Sequence, residues 1–182
     1  MNYAAIKWAD VANGPGVRVS LFVSGCTHRC PGCFNEEAQD FAYGCSFTRT
    51  EEDRIVAALA PDHIKGLSLL GGEPFEPDNQ RSLLPLLRRV KAAYPDKEVW
   101  CYTGYVLESE LWRDSRARCE ATDEMLSLID VLVDGPFILE QKDLRLRFRG
   151  SSNQRILNVP ASIQAQAPVL WDGDLTVQSI TV

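Results

Sequence analysis

Residues 17–35 read VRVSLFVSGCTHRCPGCFN. The apolar, β-branched run at 17–23 has the composition of a buried strand. It opens at once into the stretch SGCTHRCPGCFN at 24–35, which holds Cys26, Cys30 and Cys33 in a Cys-x3-Cys-x2-Cys spacing. A buried strand that delivers a ligand-rich loop at its C-terminal end is the arrangement of α/β folds, where chemistry gathers past the carboxyl ends of parallel strands.

Four further runs repeat the theme. Strands are expected at GLSLL (66–70), EVWCY (98–102), DVLVD (130–134) and RILNV (155–159), with helices at about 50–60, at 79–94, and at 106–129 with an interruption. In the second helix Leu83, Leu84, Leu87 and Val90 share one face, the mark of core packing. The unusual residues again lie just past the strand ends: GGEP (71–74), TGY (103–105) and DGPF (134–137). Alternating strands and helices predict an α/β fold with a mostly parallel sheet. Five or six strands fall short of the eight-stranded barrel, which takes about 250 residues. An open partial (β/α) barrel is the expected architecture. It spans residues 1–159, and 160–182 form a C-terminal extension in which PASIQAQAP reads as a linker and LTVQSITV as a last strand.

Composition limits the function. At 182 residues and 45% hydrophobic content one domain with a real core is expected. No run is long and apolar enough to cross a bilayer, and the first residues lack a basic stretch followed by an apolar one, so a cytoplasmic protein with no membrane partner is expected. In a reducing compartment six cysteines suggest metal or redox chemistry more than disulfides. Cys45, Cys101 and Cys119 show no ligand spacing and read as ordinary packing or surface residues. The net charge of −6 argues against nucleic acid as a partner.

Three thiols on one loop, with Pro31 and Gly32 permitting sharp turns, admit two metal readings. A zinc site would draw on His28 or a remote cysteine as its fourth ligand, yet structural zinc sites usually show two ligand pairs and no second pair is present. A cubane iron–sulfur cluster held by three thiolates leaves one iron open to a substrate or cofactor. The spacing favours the cluster.

The Cys26-x3-Cys30-x2-Cys33 loop, followed by GGEP after the next strand, resembles the radical S-adenosylmethionine enzymes. With NGPGVRVSLFVSGCTHRCPGCFN, GGEPF, YTGY, VLVDGPF and LRFRGSSNQRI in order across most of residues 13–159, the chain more narrowly resembles the family that activates anaerobic ribonucleotide reductase, a group of glycyl-radical-enzyme activases. The resemblance implies a [4Fe-4S] cluster on Cys26, Cys30 and Cys33, with S-adenosylmethionine chelating the open iron. It implies a cofactor-binding set of Gly32, Cys33 and Phe34 beside the adenine, and of Gly71, Gly72, Glu73 and Pro74, with Glu73 facing the amino group. Position 32, aromatic in much of the superfamily, is glycine here, so no side chain at 32 reads the base.

Further implications concern activity and partners. The activity implied is reductive cleavage of the cofactor and removal of a hydrogen atom from a backbone glycine of the reductase large subunit, with a flavodoxin-type one-electron donor. Residues 34–66 contain only Cys45, which speaks against an inserted ferredoxin-like domain. Asp134 matches the acid of an Asp-x-Lys pattern near the cofactor in related activases, but the chain reads Asp134-Gly135-Pro136, and a solvated loop-end aspartate is the competing reading. His28 reads as a local hydrogen-bonding residue. Arg145, Arg147, Arg149 and Arg155, interleaved with Leu144, Leu146 and Phe148, form either a half-exposed strand or a docking surface for a partner protein or reductant. Two other functions fit the cysteines: a radical enzyme acting on a small molecule, or a metal-binding module with no chemistry.

Overall fold

A computed structural model describes residues 1–173. Within them seven strands form one open sheet in the order β3-β1-β2-β4-β5-β6-β7. The strands are β1 (Asn2–Asp10), β2 (Val17–Val23), β3 (Cys45–Ser46), β4 (Ile64–Gly71), β5 (Glu98–Tyr102), β6 (Val131–Asp134) and β7 (Arg155–Asn158). Three of the six neighbouring pairs, β2–β4, β4–β5 and β5–β6, are parallel, while β1–β2, β1–β3 and β6–β7 are antiparallel. The expectation of a mostly parallel sheet of five or six strands is therefore corrected. The central four strands are parallel, and antiparallel strands flank them on both sides.

Helices α1 (Arg49–Ala58), α2 (Pro77–Ala93) and α3 (Thr122–Ser127) carry the crossovers. A capping box between Thr48 and Glu51 starts α1, and Pro77 sits in the first turn of α2, where its missing N–H has no partner to lose. The interrupted third helix resolves into a π-turn at Leu107–Leu111 and the short α3. None of the helices among the described residues is long and apolar enough to cross a membrane.

Side chains alternate across each strand, so the sheet has two unlike faces. On one, Val19, Leu21 and Val23 of β2, Leu67 and Leu69 of β4, Val99 of β5 and Leu132 of β6 pack against Ile55 of α1 and Leu83, Leu86, Leu87 and Val90 of α2. Each such fully buried side chain contributes about 1.5–3 kcal/mol. The other face bears a smaller cluster of Trp100, Val131, Val133 and Ile156, with Phe148 and Trp171 against it. No helix covers it.

Arg18 of β2 lies wholly buried on that second face. Its guanidinium donates to Ser68 Oγ at 2.8 Å and to the carbonyls of Leu67 and Glu98 at 3.0 and 2.8 Å, and lies 5.6 Å from the Trp100 ring. It passes beside Gly66, where an added Cβ would stand 2.9 Å from Nη2 and 1.9 Å from the Glu98 carbonyl. Burial lowers its pKa to about 10.

Two sequence expectations give way at the C-terminal end. PASIQAQAP is not a linker: α4 (Val159–Ala165) begins there, capped by the Asn158 side chain accepting from Ala161 N–H. Trp171 N–H then bonds back to Ile156, and its ring packs edge-on against Trp100. The strand expected at 175–182 lies outside the described residues.

Candidate functional site

The loops after β2, β4, β5 and β6 meet around a cavity of about 530 Å³, inside the size range of pockets that enclose small-molecule ligands. Cys26, Cys30 and Cys33 line it, all three as free thiols, together with Gly71, Gly72, Glu73, Thr103 and Gly104. The sequence placed the functional edge at the C-terminal ends of these strands, and the cavity is there.

The cluster loop is sewn to the segment after β4 by backbone and side chain alike. Gly72 N–H donates to Val23, Glu73 N–H to Gly25, and Gly25 N–H to Ala38, at 2.7–2.8 Å. Asn79 Nδ2 donates to the carbonyls of Ser24 and Glu73. Glu76 accepts from both the backbone N–H and the hydroxyl of Thr27. These contacts explain the glycines. Gly71 has φ +110°, and a Cβ at Gly72 would stand 2.5 Å from the Gly25 carbonyl. The close approach at Gly72 is to the cluster loop itself. Asn79 and Glu76 were not singled out from sequence. The signal available was a second acid three residues after Glu73, at the start of a helix.

Glu73 is 1% exposed. One carboxylate oxygen, Oε1, accepts from Phe75 N–H at 2.8 Å; the other, Oε2, accepts from Gly104 N–H at 2.8 Å and lies 3.0 Å from His28 Nε2. His28 stacks on Tyr105 at 4.3 Å between ring centroids, and its Nδ1 faces Arg116. It is a hydrogen-bonding residue, as the sequence suggested, but not a local one: its partner is the acid of GGEP, in the loop after β4.

Phe34 lines the cavity and is more than half exposed, edge-on to Phe137 at 5.2 Å with the Lys142 ammonium 4.7 Å above its ring. Gly32, at φ +68°, and the buried Pro74 do not line the cavity. Asp134 lies outside the lining as well, and it is not a solvated loop-end aspartate. It is fully buried, accepts from Leu107 N–H and is bridged by Arg155, which also forks onto Glu108. The Arg145–Arg155 stretch is no half-exposed strand: 144–150 form turns, and only Arg155 enters β7. Arg145 pairs with Asp143, Arg149 donates to Gln154 O, and Leu144, Leu146, Phe148 and Arg149 line the cavity.

Electrostatics at the thiols is set by burial. Desolvation, then the Glu73 carboxylate, pushes Cys26 up to about 12, and burial also raises Cys30. Binding a metal through these sulfurs therefore has to displace protons. Among the described residues no three His, Cys, Asp or Glu groups converge on one metal position. A single zinc ion would hold every sulfur about 2.3 Å from one point. Three thiols lining one cavity fit a cluster better, because each sulfur then binds a different iron and they need not meet at one point. The donor set thus suits an iron–sulfur group, with His28 already engaged elsewhere. Cys45 is exposed in β3, Cys101 is buried in β5, and Cys119 is half-buried, away from the cavity.

An open α/β sheet with three cysteines at the C-terminal edge of its parallel strands describes an iron–sulfur protein, and residues 12–157 match the family model of the 4Fe-4S single cluster domain. Three relatives narrow the class. The anaerobic ribonucleoside-triphosphate reductase-activating protein of Vibrio cholerae is 48% identical over 158 residues, 86% of this chain and 97% of that protein. The protein of the same name from Escherichia coli K12 is 45% identical over 156 residues, 85% and 96% of the two chains, and that of Enterobacteria phage T4 is 39% identical over 158 residues, 86% and 93%. The chain belongs to the family of anaerobic ribonucleoside-triphosphate reductase-activating proteins.

Proposed function

We propose that this protein is a radical S-adenosylmethionine activase of anaerobic ribonucleotide reductase. One observation carries the reading: three free thiols, the GGEP loop and the loop after β5 line a single cavity. Cys26, Cys30 and Cys33 would hold the [4Fe-4S] cluster, and with S-adenosylmethionine bound it would supply reductive, radical chemistry directed at a backbone glycine of the reductase large subunit.

The chain's own residues bind and shield. Gly71, Gly72 and Glu73 form the wall next to the thiols, and Glu73 Oε1, which accepts one hydrogen bond, keeps a lone pair for the cofactor's ammonium. Phe34 offers an apolar face to the adenine, with Gly32 and Cys33 shaping the loop and buried Pro74 stiffening GGEP. Asp134 takes no part in the chemistry, since Arg155 and Leu107 N–H occupy it. The face of the sheet that helices leave bare is read as the inside of an open partial barrel, where the reductase segment enters. A flavodoxin-type donor supplies the electron, and the cytoplasm is the compartment that keeps these thiols reduced.

The test uses anaerobically reconstituted protein, chemically reduced and given S-adenosylmethionine with and without the reductase large subunit. Formation of 5'-deoxyadenosine together with a glycyl-radical doublet in the paramagnetic resonance spectrum of the subunit is expected. Cleavage with no protein radical would assign another substrate, and a loaded, reducible cluster that never cleaves the cofactor would leave only a metal-binding module.

A further inference from the structure

His28 stands in the middle of the cluster loop and is not needed as a metal ligand. Its surroundings define a narrow task. Nε2 lies 3.0 Å from Glu73 Oε2, and a carboxylate only accepts, so Nε2 carries the ring proton. The other nitrogen, Nδ1, faces Arg116 Nη2 at 3.4 Å; a guanidinium only donates, which leaves Nδ1 bare. Both neighbours demand the same tautomer. Behind the ring there is no slack: an added Cβ at Gly104 would stand 2.7 Å from its Cδ2 and Nε2 atoms, and the Tyr105 ring covers it at 4.3 Å. The histidine therefore joins three strand ends at one carboxylate: its own loop after β2, Glu73 after β4, and Gly104 after β5, whose N–H shares Oε2 with it.

We infer that His28 is a positioning residue for the cofactor site, acting through Glu73: it fixes the orientation of the carboxylate on which the cofactor's ammonium is proposed to bind. A buried carboxylate with one oxygen held by two donors has a single orientation. Without the imidazole, the Glu73 side chain loses the contact that ties it to the cluster loop, while the thiols themselves keep their positions. This rests on the S-adenosylmethionine reading above.

The experiment measures cofactor affinity by equilibrium dialysis on anaerobically reconstituted wild type, His28→Ala, His28→Gln, Glu73→Gln and the His28→Ala/Glu73→Gln double variant, with iron and sulfide counted per chain and folding checked by circular dichroism. His28→Ala is expected to keep its iron and sulfide and to bind the cofactor about tenfold more weakly. Gln, which can still donate one hydrogen bond, should recover affinity to within about threefold. The double variant should bind no worse than Glu73→Gln alone, because both changes remove one interaction. Multiplied effects in the double variant, or loss of iron in His28→Ala, would overturn the inference. A second measurement separates it from the functional reading: ¹⁵N spectra of the histidine ring in the metal-free protein should show a protonated Nε2 that changes in Glu73→Gln. A wild type that carries iron and sulfide but binds none of the cofactor overturns the functional reading even with that signal present; cofactor binding without that signal overturns the positioning role alone.

Discussion

Two buried carboxylates, Glu73 and Asp134, are built to the same plan and serve different regions. Each follows or ends a parallel strand, each is at most 1% exposed, and each accepts a backbone N–H from the segment after β5, from Gly104 in one case and Leu107 in the other. Each also faces one basic side chain, His28 or Arg155. The difference is where that side chain comes from. His28 belongs to the cysteine loop, so Glu73 ties that loop to the ends of the parallel strands. Arg155 belongs to the antiparallel strand β7 and also grips Glu108 of the π-turn, so Asp134 holds the far side of the sheet together. Similar local physics ties down the cysteine loop in one place and the far strand in the other.

The largest expected effect tests whether the Glu73 side is the chemical one. Alanine at Cys26, Cys30 or Cys33 should abolish iron and sulfide loading, measured after anaerobic reconstitution, whereas Asp134→Asn should load fully. Next comes stability. Asp134→Asn leaves Arg155 with Glu108 alone, and urea denaturation of the metal-free protein should show a loss of about 3 kcal/mol, the lower end for a broken buried pair. Glu73→Gln should cost only about 1–2 kcal/mol, the penalty for one unsatisfied donor. It should weaken S-adenosylmethionine binding, which Asp134→Asn should not. If the two variants behaved alike in both assays, the distinction would collapse.

Glycines beside the two acids give a finer comparison. Gly104→Ala drives a methyl into the His28 ring and should lower stability by about 2 kcal/mol through overpacking. Gly135→Ala, at φ +99° with only ordinary van der Waals contacts around its Cβ, should cost about 1 kcal/mol of backbone strain and leave cofactor binding intact. The smallest effect is a pH dependence. Hydrogen bonding to Arg155 holds the Glu108 carboxyl below its usual range. Its contribution is therefore present above the ordinary glutamate range and is lost as pH falls through the depressed value. The stability gap between wild type and Glu108→Gln should be full at neutral pH and close in acid, as read from denaturation midpoints.

The parallel core of this fold was legible in the chain because buried parallel strands are continuously apolar: β2 and β5 fall where VRVSLFV and EVWCY placed them. The flanks were not. β1 reads NYAAIKWAD, with mixed polarity and side chains that are mostly half-buried or exposed, and is a strand because β2 pairs with it. α4 hid behind a proline, although Asn158 before Val159-Pro160 is a helix-start signal. In the site, the cysteines and GGEP announced themselves by spacing. Glu76, Asn79 and Arg116 did not, because their partners lie 49, 55 and 88 residues away and only the fold joins them. Asp134 misled for the same reason: its sequence neighbours suggest a loop end, and Arg155, twenty-one residues on, makes it a buried ion pair.

Arg18 has a mechanical consequence. Its guanidinium clamps β2, β4 and β5 at the end of the strands opposite the cysteine loop and GGEP. Opening that end would strand a desolvated charge, so it resists opening more than any apolar contact there. The amides of Leu67 and Val99 should be among the slowest to exchange with solvent, and the strand ends that carry the cysteine loop and GGEP among the faster ones. The sheet is thus expected to be stiffest at the Arg18 end and more compliant toward the cysteine loop, like a hand held rigid at the wrist.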